Sequence, residues 1–246
     1  MGHSVLAVRV QRLERYRAVN AGSASWVRSG NQAILLQLSG EGDNVWHGGD
    51  CEGEDPVTVS VAAYTDHADA YEASHAPKMF DRVERFASSL RVPSLILDAG
   101  CGPGRDLARF AALGHVARGV DLNPAFVARA TAHAPTWQAD LRELQLIFPQ
   151  GLFDGIWASA SLVHLADEDA ADVLRQFSTL LRPGGKLYVC VNTVGRTGWL
   201  DEPDGRRWYR IWQDDDFAGT VAAAGFHIDE IDRGPFVEVW ATCSSE

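Results

Sequence analysis

Cysteine, basic charge and long apolar runs are all in short supply in this chain of 246 residues. Its four cysteines, Cys51, Cys101, Cys190 and Cys243, form no Cys-x-x-Cys pair and no His/Cys spacing of a zinc site. Free thiols in a reducing cytoplasm are the simplest reading. No stretch is apolar for long enough to cross a bilayer, and the start, MGHSVLAVRVQRLERYRAV, interrupts its apolar residues with arginines, unlike a secretory leader. Lysine and arginine number 22 against 33 acids, a net charge of −11. That balance argues against a nucleic-acid duplex or an anionic membrane as partner, unless a local basic patch overrides the average.

The hydrophobic content of 46% is ordinary for a soluble globule, and the length fits one domain or one domain with an appendage. Residues 1–60 stand apart. They hold two short apolar runs, VLAV and AILLQL, and the Gly/acid-rich SGEGDNVWHGGDCEGEDP, which has the composition of a loop or disordered linker.

From residue 61 the pattern is regular. Helical spacing runs from Tyr64 and Tyr71 through Met79, Val83 and Phe86 to Leu90. SLILDAG reads as a buried strand, DLARFAALG as a helix capped by Gly114, and HVARGVDL as a second strand. Asn123-Pro124 predicts the next helix start, followed by short strands at TWQAD and FDGIWAS. ADEDAADVLRQFSTLLRPGG predicts a helix with Asp167 as its N-cap, and KLYVCVNTV the strand after it. DDDFAGTVAAAGF predicts a helix with three acids in its first turn, where they face the helix dipole rather than a metal. FHIDEIDRGPFVEVWATC reads as two strands joined by a tight turn. Strands alternating with helices predict an α/β, doubly wound, mainly parallel sheet. The last pair lacks a crossover helix, so the sheet must finish antiparallel.

The stretch ILDAGCGPGRDLARF places Gly100, Gly102 and Gly104 at every second position between a strand and a helix. Bare backbone there lets N–H groups approach a ligand. The dinucleotide fingerprint Gly-x-Gly-x-x-Gly fails in either register, since the third position falls on Arg105 or Leu107. Asp98, two residues before the first glycine, is also unfavourable beside a pyrophosphate and suits an ammonium or a sulfonium.

LDAGCGPGRD resembles the first motif of the class I S-adenosylmethionine-dependent methyltransferases of the bacterial small-molecule type. GVDLNPAFV, ADLREL, FDGIWASASLVHL and LLRPGGKLYVCV resemble their later motifs, in order, over residues 61–246. The resemblance implies a Rossmann-like, seven-stranded sheet ending in an antiparallel pair, with S-adenosyl-L-methionine as cofactor. It implies that Asp98, Gly100, Cys101 and Gly102 meet the methionine end, with the backbone of Ala158 and Ser159. Asp121 and Leu122 then serve the ribose, Asp140 and Leu141 the adenine, and Tyr71 sits on a helix that closes over the cofactor. Core packing explains Tyr64 and Tyr71 nearly as well. His164 is the candidate catalytic base, with an ordinary imidazole pKa near ~6.5; packing and capping account for it equally. No divalent-metal cluster is seen.

The implied reaction is in-line methyl transfer to an O, N, C or S atom of a small molecule, expected to meet Val194–Trp212 with its aromatics and arginines. The alternative is a cofactor-binding but non-catalytic partner module. Residues 1–60 have two readings, a cover for the acceptor pocket or a true start near Val57 or Val59. Oligomeric state is open.

Overall fold

The computed structural model describes residues 45–47, 53–75, 80–202 and 205–244. VLAV, AILLQL, Cys51 and Met79 lie outside them.

β2 (Leu95–Ala99) is an apolar strand buried along nearly its whole length, flanked by β3 (Val116–Asp121) and β5 (Phe153–Ser159). β4 (Thr136–Gln138) lies beyond β3, and β6 (Leu181–Asn192), β10 (Phe236–Cys243) and β9 (Phe226–Arg233) beyond β5. The seven-stranded order is β4-β3-β2-β5-β6-β10-β9. The first five strands run parallel, and β10 pairs antiparallel with both β6 and β9. The expected antiparallel ending is therefore present. The chain builds outward from β2 in one direction and then returns to β5 on its other side, so the strand order reverses between them. Such a switch point leaves a crevice at the carboxyl ends of the strands.

Two apolar layers cover the sheet. On one face α3 (Phe80–Ser88) and α4 (Arg105–Ala112) bury Val83, Phe86, Leu107 and Phe110 against Ile96, Trp157 and Tyr188. Trp157 stacks on Tyr188 at 4.0 Å, and its indole N–H donates to Asp106 at 2.9 Å. On the other face α6 (Asp167–Leu180) and α7 (Asp214–Ala223) contribute Val173, Leu174, Phe177, Phe217 and Val221. The first-turn acids of α7 are tied by Arg233, which reaches Asp214 and Asp215.

Three local expectations need correction. The helical spacing over 64–90 begins with a 3-10 turn at Thr65–His67 ahead of α2 (Ala68–His75), and within the described residues α3 covers its later part. α6 starts at Asp167 with Ala166 as its cap, because the Asp167 carboxylate is engaged by Arg210 instead of the helix N–H groups. Finally, the Gly/acid-rich segment expected to be a loop contains a strand, β1 (Val45–His47).

β1 pairs with β7 (Gly198–Glu202), which pairs with β8 (Gly205–Tyr209), making a second, three-stranded antiparallel sheet. α1 (Pro56–Ala62) packs beside β8, and Ser60 Oγ accepts the Trp208 N–H at 2.8 Å. Asp55 caps α1 by accepting from the Val57 N–H at 3.3 Å. α5 (Pro124–Ala130) starts as expected, with the Asn123 side chain accepting from Ala125 N and Pro124 in its first turn.

A Cβ at Gly155 on β5 would lie 2.9 Å from Leu90 Cδ1 and 3.0 Å from Phe86 Cζ. Gly155→Ala therefore overpacks the layer under α3 and costs about 1–3 kcal/mol, read as a lower denaturant midpoint at unchanged slope.

Candidate active site

The crevice at the switch point is built around the turn after β2. Gly100 N–H and Cys101 N–H both donate to the Val120 carbonyl, at 2.8 and 3.0 Å, tying the turn to β3. Gly100 has φ of +79°, and a Cβ there would sit 2.3 Å from Ser161 Cβ. Gly102 has φ of +54° and only Tyr71 Cε1, at 3.9 Å, near the place a Cβ would take. One glycine is thus required by close packing and the other keeps an open space in front of the backbone.

Asp121, at the end of β3, joins this turn to the next. Its Oδ2 accepts the Gly102 N–H and its Oδ1 the Asn123 N–H, each at 2.8 Å. Burial nonetheless pushes its carboxyl up to about 6, against the pull of the backbone N–H groups of Asn123, Gly102 and Leu122. Asp98 is 2% exposed, and its Oδ2 is buried with no hydrogen-bond partner. Burial, reinforced by the Asp106 charge, raises its carboxyl well above the usual range. Such a group is in want of a donor or a cation.

Two adjoining cavities open here and share Tyr71, Gly100, Gly102 and Ser159. The first is also lined by Asp121, Leu122, Asp140, Leu141, Tyr64 and His164, the second by Asp98, Cys101 and Arg105. Eleven residue positions expected from sequence to form a site therefore border one connected region. Ala158 is the exception: it is fully buried in the sheet and borders neither cavity. Val57 and Val61 of α1, with Asn123, Phe126 and Ser161, complete the first cavity and were not anticipated. The capping motif Asn123-Pro124 was a signal for Asn123; nothing in the sequence marked α1.

Asp140 is less available than expected. Its carboxylate accepts from Arg142 N at 2.9 Å, from Arg142 Nε at 3.1 and 3.0 Å, and from Arg142 Nη2 at 2.6 Å. Each oxygen meets two of these contacts, with Nε shared between them, so a further donor reaches Asp140 only by taking over part of the shared Nε bond.

His164 is 8% exposed. Its Nδ1 lies 2.6 Å from the Trp208 carbonyl oxygen. A carbonyl only accepts, so Nδ1 carries the hydrogen and Nε2 is bare. Nε2 is 3.1 Å from the Tyr64 hydroxyl, which donates to it. Burial pushes the imidazole down to about 4; the Arg207 charge lowers it further, while the bond to Trp208 opposes the fall. The sequence-based value near ~6.5 is thus too high. Arg207 is fully buried, paired with Glu202, and its guanidinium stands 4.4 Å over the Tyr64 ring.

The aromatic side chains of segment 194–212 turn inward. Trp199, Trp208, Tyr209 and Trp212 are buried, and none borders either cavity. Arg206 stacks on Trp199 at 4.0 Å and Arg210 binds Asp167. The hairpin acts from behind, through the Trp208 carbonyl and Arg207.

The low imidazole pKa fixes a pH signature. Between about 6.5 and about 4 the unfolded chain takes up a proton that folded His164 refuses, so stability falls as pH drops through that window. His164→Gln removes this part of the acid slope, and nuclear magnetic resonance of the ring shows it neutral at pH 5.

Comparison with known proteins agrees with this architecture. Residues 96–185 match the model of a methyltransferase domain. The chain is 34% identical over 108 residues to 27-O-demethylrifamycin SV methyltransferase of Amycolatopsis mediterranei, covering 40% of this chain and 38% of that protein. It is 37% identical over 102 residues to trans-aconitate 2-methyltransferase of Methylobacterium radiotolerans, covering 41% and 38%. The chain thus spans less than half the length of either relative. Among solved structures it resembles Burkholderia thailandensis 1,6-didemethyltoxoflavin-N1-methyltransferase, crystallised with its 1,6-didemethyltoxoflavin and S-adenosylhomocysteine. The TM-score is 0.66 at 23% identity, over 83% of this chain and 97% of that one. A TehB-like enzyme of Corynebacterium glutamicum gives a TM-score of 0.57 at 20% identity, over 73% and 98%. At these identities the likeness is one of fold. The glycine turn after the central strand and the acid closing the next lie within the residues that match the methyltransferase domain, the antiparallel sheet ending lies beyond them, and the fold as a whole is the one seen in S-adenosylmethionine-dependent methyltransferases of known structure.

Proposed function

We propose that the protein transfers the methyl group of S-adenosylmethionine to an O, N, C or S atom of a small-molecule acceptor. The observation that carries this reading is the pair of under-satisfied carboxylates, Asp98 and Asp121, on either side of the open backbone at Gly102. The donor groups of the cofactor match them: an ammonium for the buried Asp98 Oδ2, and two ribose hydroxyls for Asp121. The adenine amino group would meet Asp140 by sharing the oxygens that Arg142 holds, beside the Leu141 backbone and Leu122. Gly100, Cys101 and Ser159 line the methionine end in this reading, and Tyr71 borders it; Ala158 lies behind them in the sheet.

When bound, S-adenosylmethionine supplies a methyl carbon already activated by its sulfonium, so the protein's task is chiefly alignment. His164 is neutral above about pH 4 and holds a bare Nε2 toward the first cavity, shared with the Tyr64 hydroxyl. A proton leaving the acceptor passes to Nε2 directly or by way of that hydroxyl. So weak a base suits an acceptor whose proton becomes acidic only as the new bond forms. The net charge of −11 supports a small molecule over nucleic acid or an anionic membrane. Among the described residues no helix is long and apolar enough to cross a membrane, and Cys101, Cys190 and Cys243 are free thiols, which suits the cytoplasm. In this reading residues 61–246 are the catalytic domain and 1–60 an extension, from which Val45–His47 and α1 fold onto it.

Calorimetric titration with S-adenosylhomocysteine, run beside NAD, tests the cofactor. Saturable binding of the first ligand is expected, weakened roughly 10- to 100-fold in Asp121→Ala by loss of charge-assisted hydrogen bonds. Binding of NAD instead overturns the reading. Because the ribose hydroxyls need the ionised carboxylate, affinity at pH 5 is about tenfold weaker than at pH 7. Transfer of labelled methyl to a panel of small acceptors separates an enzyme from a silent cofactor-binding module.

A further inference from the structure

One guanidinium in this molecule is shared by three carboxylates drawn from three different elements. Arg142 lies in the first turn of the 3-10 helix Leu141–Leu146. It holds Asp140 through Nε and Nη2, with the shortest bond 2.6 Å. It holds Asp55 through Nη1 at 3.1 Å and Nη2 at 2.7 Å. Its Nη1 also reaches Asp169 of α6 at 3.2 Å. Asp55 is the N-cap of α1, the helix whose Val57 and Val61 form a wall of the first cavity. Asp140 borders the same cavity. The formal charge of the cluster is −2, so the acids compete for one cation.

We infer that Arg142 is a positioning residue that fastens α1 over the cofactor site and, by the same guanidinium, holds the Asp140 carboxylate at the edge of the first cavity. This rests on the cofactor reading above. The bonds from Arg142 to Asp140 are made within two residues of one short turn and are local. The bonds to Asp55 bridge 87 residues and, with Ser60 to Trp208 and Asn123 to the Val61 carbonyl, are the side-chain bonds that hold α1 down; of these, only the bonds to Asp55 are an ion pair. They lie at a partly exposed position, with the Asp55 side chain 35% and the Arg142 side chain 23% accessible, where salt screens them. The Asp55–Arg142 pair therefore governs how long a bound cofactor stays, while entry depends on diffusion into an opened site. Asp169 belongs to α6 and does not travel with α1, so it makes an internal control.

The test uses the full chain with radiolabelled S-adenosylhomocysteine as probe, its release followed by rapid filtration after an excess of unlabelled ligand. Asp55→Asn keeps a good N-cap for α1 but removes the ion pair. It is expected to speed release about tenfold at low salt, with thermal stability of the free protein nearly unchanged. One molar sodium chloride is expected to speed release from the natural protein towards the same value and to leave Asp55→Asn unmoved. Asp169→Asn is expected to leave release within twofold. Arg142→Lys, which keeps the charge but not the three-way fork, is expected to resemble Asp55→Asn, and the double variant to be no faster than either. Release unchanged in Asp55→Asn, or accelerated equally in Asp169→Asn, overturns the inference. No binding of S-adenosylhomocysteine to the folded natural protein overturns the methyltransferase reading itself, and the inference with it.

Discussion

The carboxylate of Asp121 holds two turns together, and the rest of the site is arranged around it. One oxygen takes the N–H of Gly102, the other that of Asn123. The first bond fixes the path of the glycine turn after β2; the second fixes the start of α5, where Asn123 also caps the helix and reaches the Val61 carbonyl at 3.2 Å through its amide. A single acid thereby sets the spacing between the two strand ends and, through Asn123, the seat of α1. The cost is a shielded carboxyl that protonates too readily, pushed up to about 6. Functional sites commonly keep such incompletely satisfied groups because a ligand supplies what the protein withholds.

The other side of the cavity is organised on the opposite electrostatic plan. Arg207 is buried with Glu202, so its charge is matched, yet it stands over the Tyr64 ring and depresses His164. Burial holds the imidazole neutral, and a carbonyl from β8 fixes its tautomer. Among the described residues the second sheet lends none of the cavity's lining and acts on it from behind, through the Trp208 carbonyl and Arg207. Its aromatic residues pack, and the ion pair with Glu202 is what makes a fully buried arginine tolerable there.

How much of this was legible follows the range of the interactions. The glycine turn, Asp98, Asp121 and the Asn123 cap are local features in which a few adjacent residues show their purpose. The antiparallel ending was legible because Arg233-Gly234-Pro235 leaves no room for a crossover. β1 was not, since three residues in a Gly/acid-rich stretch pair with β7 across more than 150 positions through backbone groups, which carry no side-chain signal. The depressed imidazole was equally hidden: it comes chiefly from burial of the ring, with a smaller push from Arg207, 43 residues away in a segment whose composition looked like exposed ligand-binding surface. The engagement of Asp140 by Arg142 had a faint local trace in the sequence ADLREL. Its extension to Asp55 had none, because it depends on where α1 docks.

The central claim is that Asp121 and the open backbone at Gly102 receive the ribose and methionine portions of S-adenosylmethionine. A crystal structure of the full chain grown with S-adenosylhomocysteine tests it most directly. The account predicts both ribose hydroxyls within hydrogen-bonding distance of the Asp121 carboxylate, with the amino group of the ligand at Asp98. A ligand seated elsewhere, or one that leaves the Asp121 carboxylate facing no hydroxyl, would contradict it.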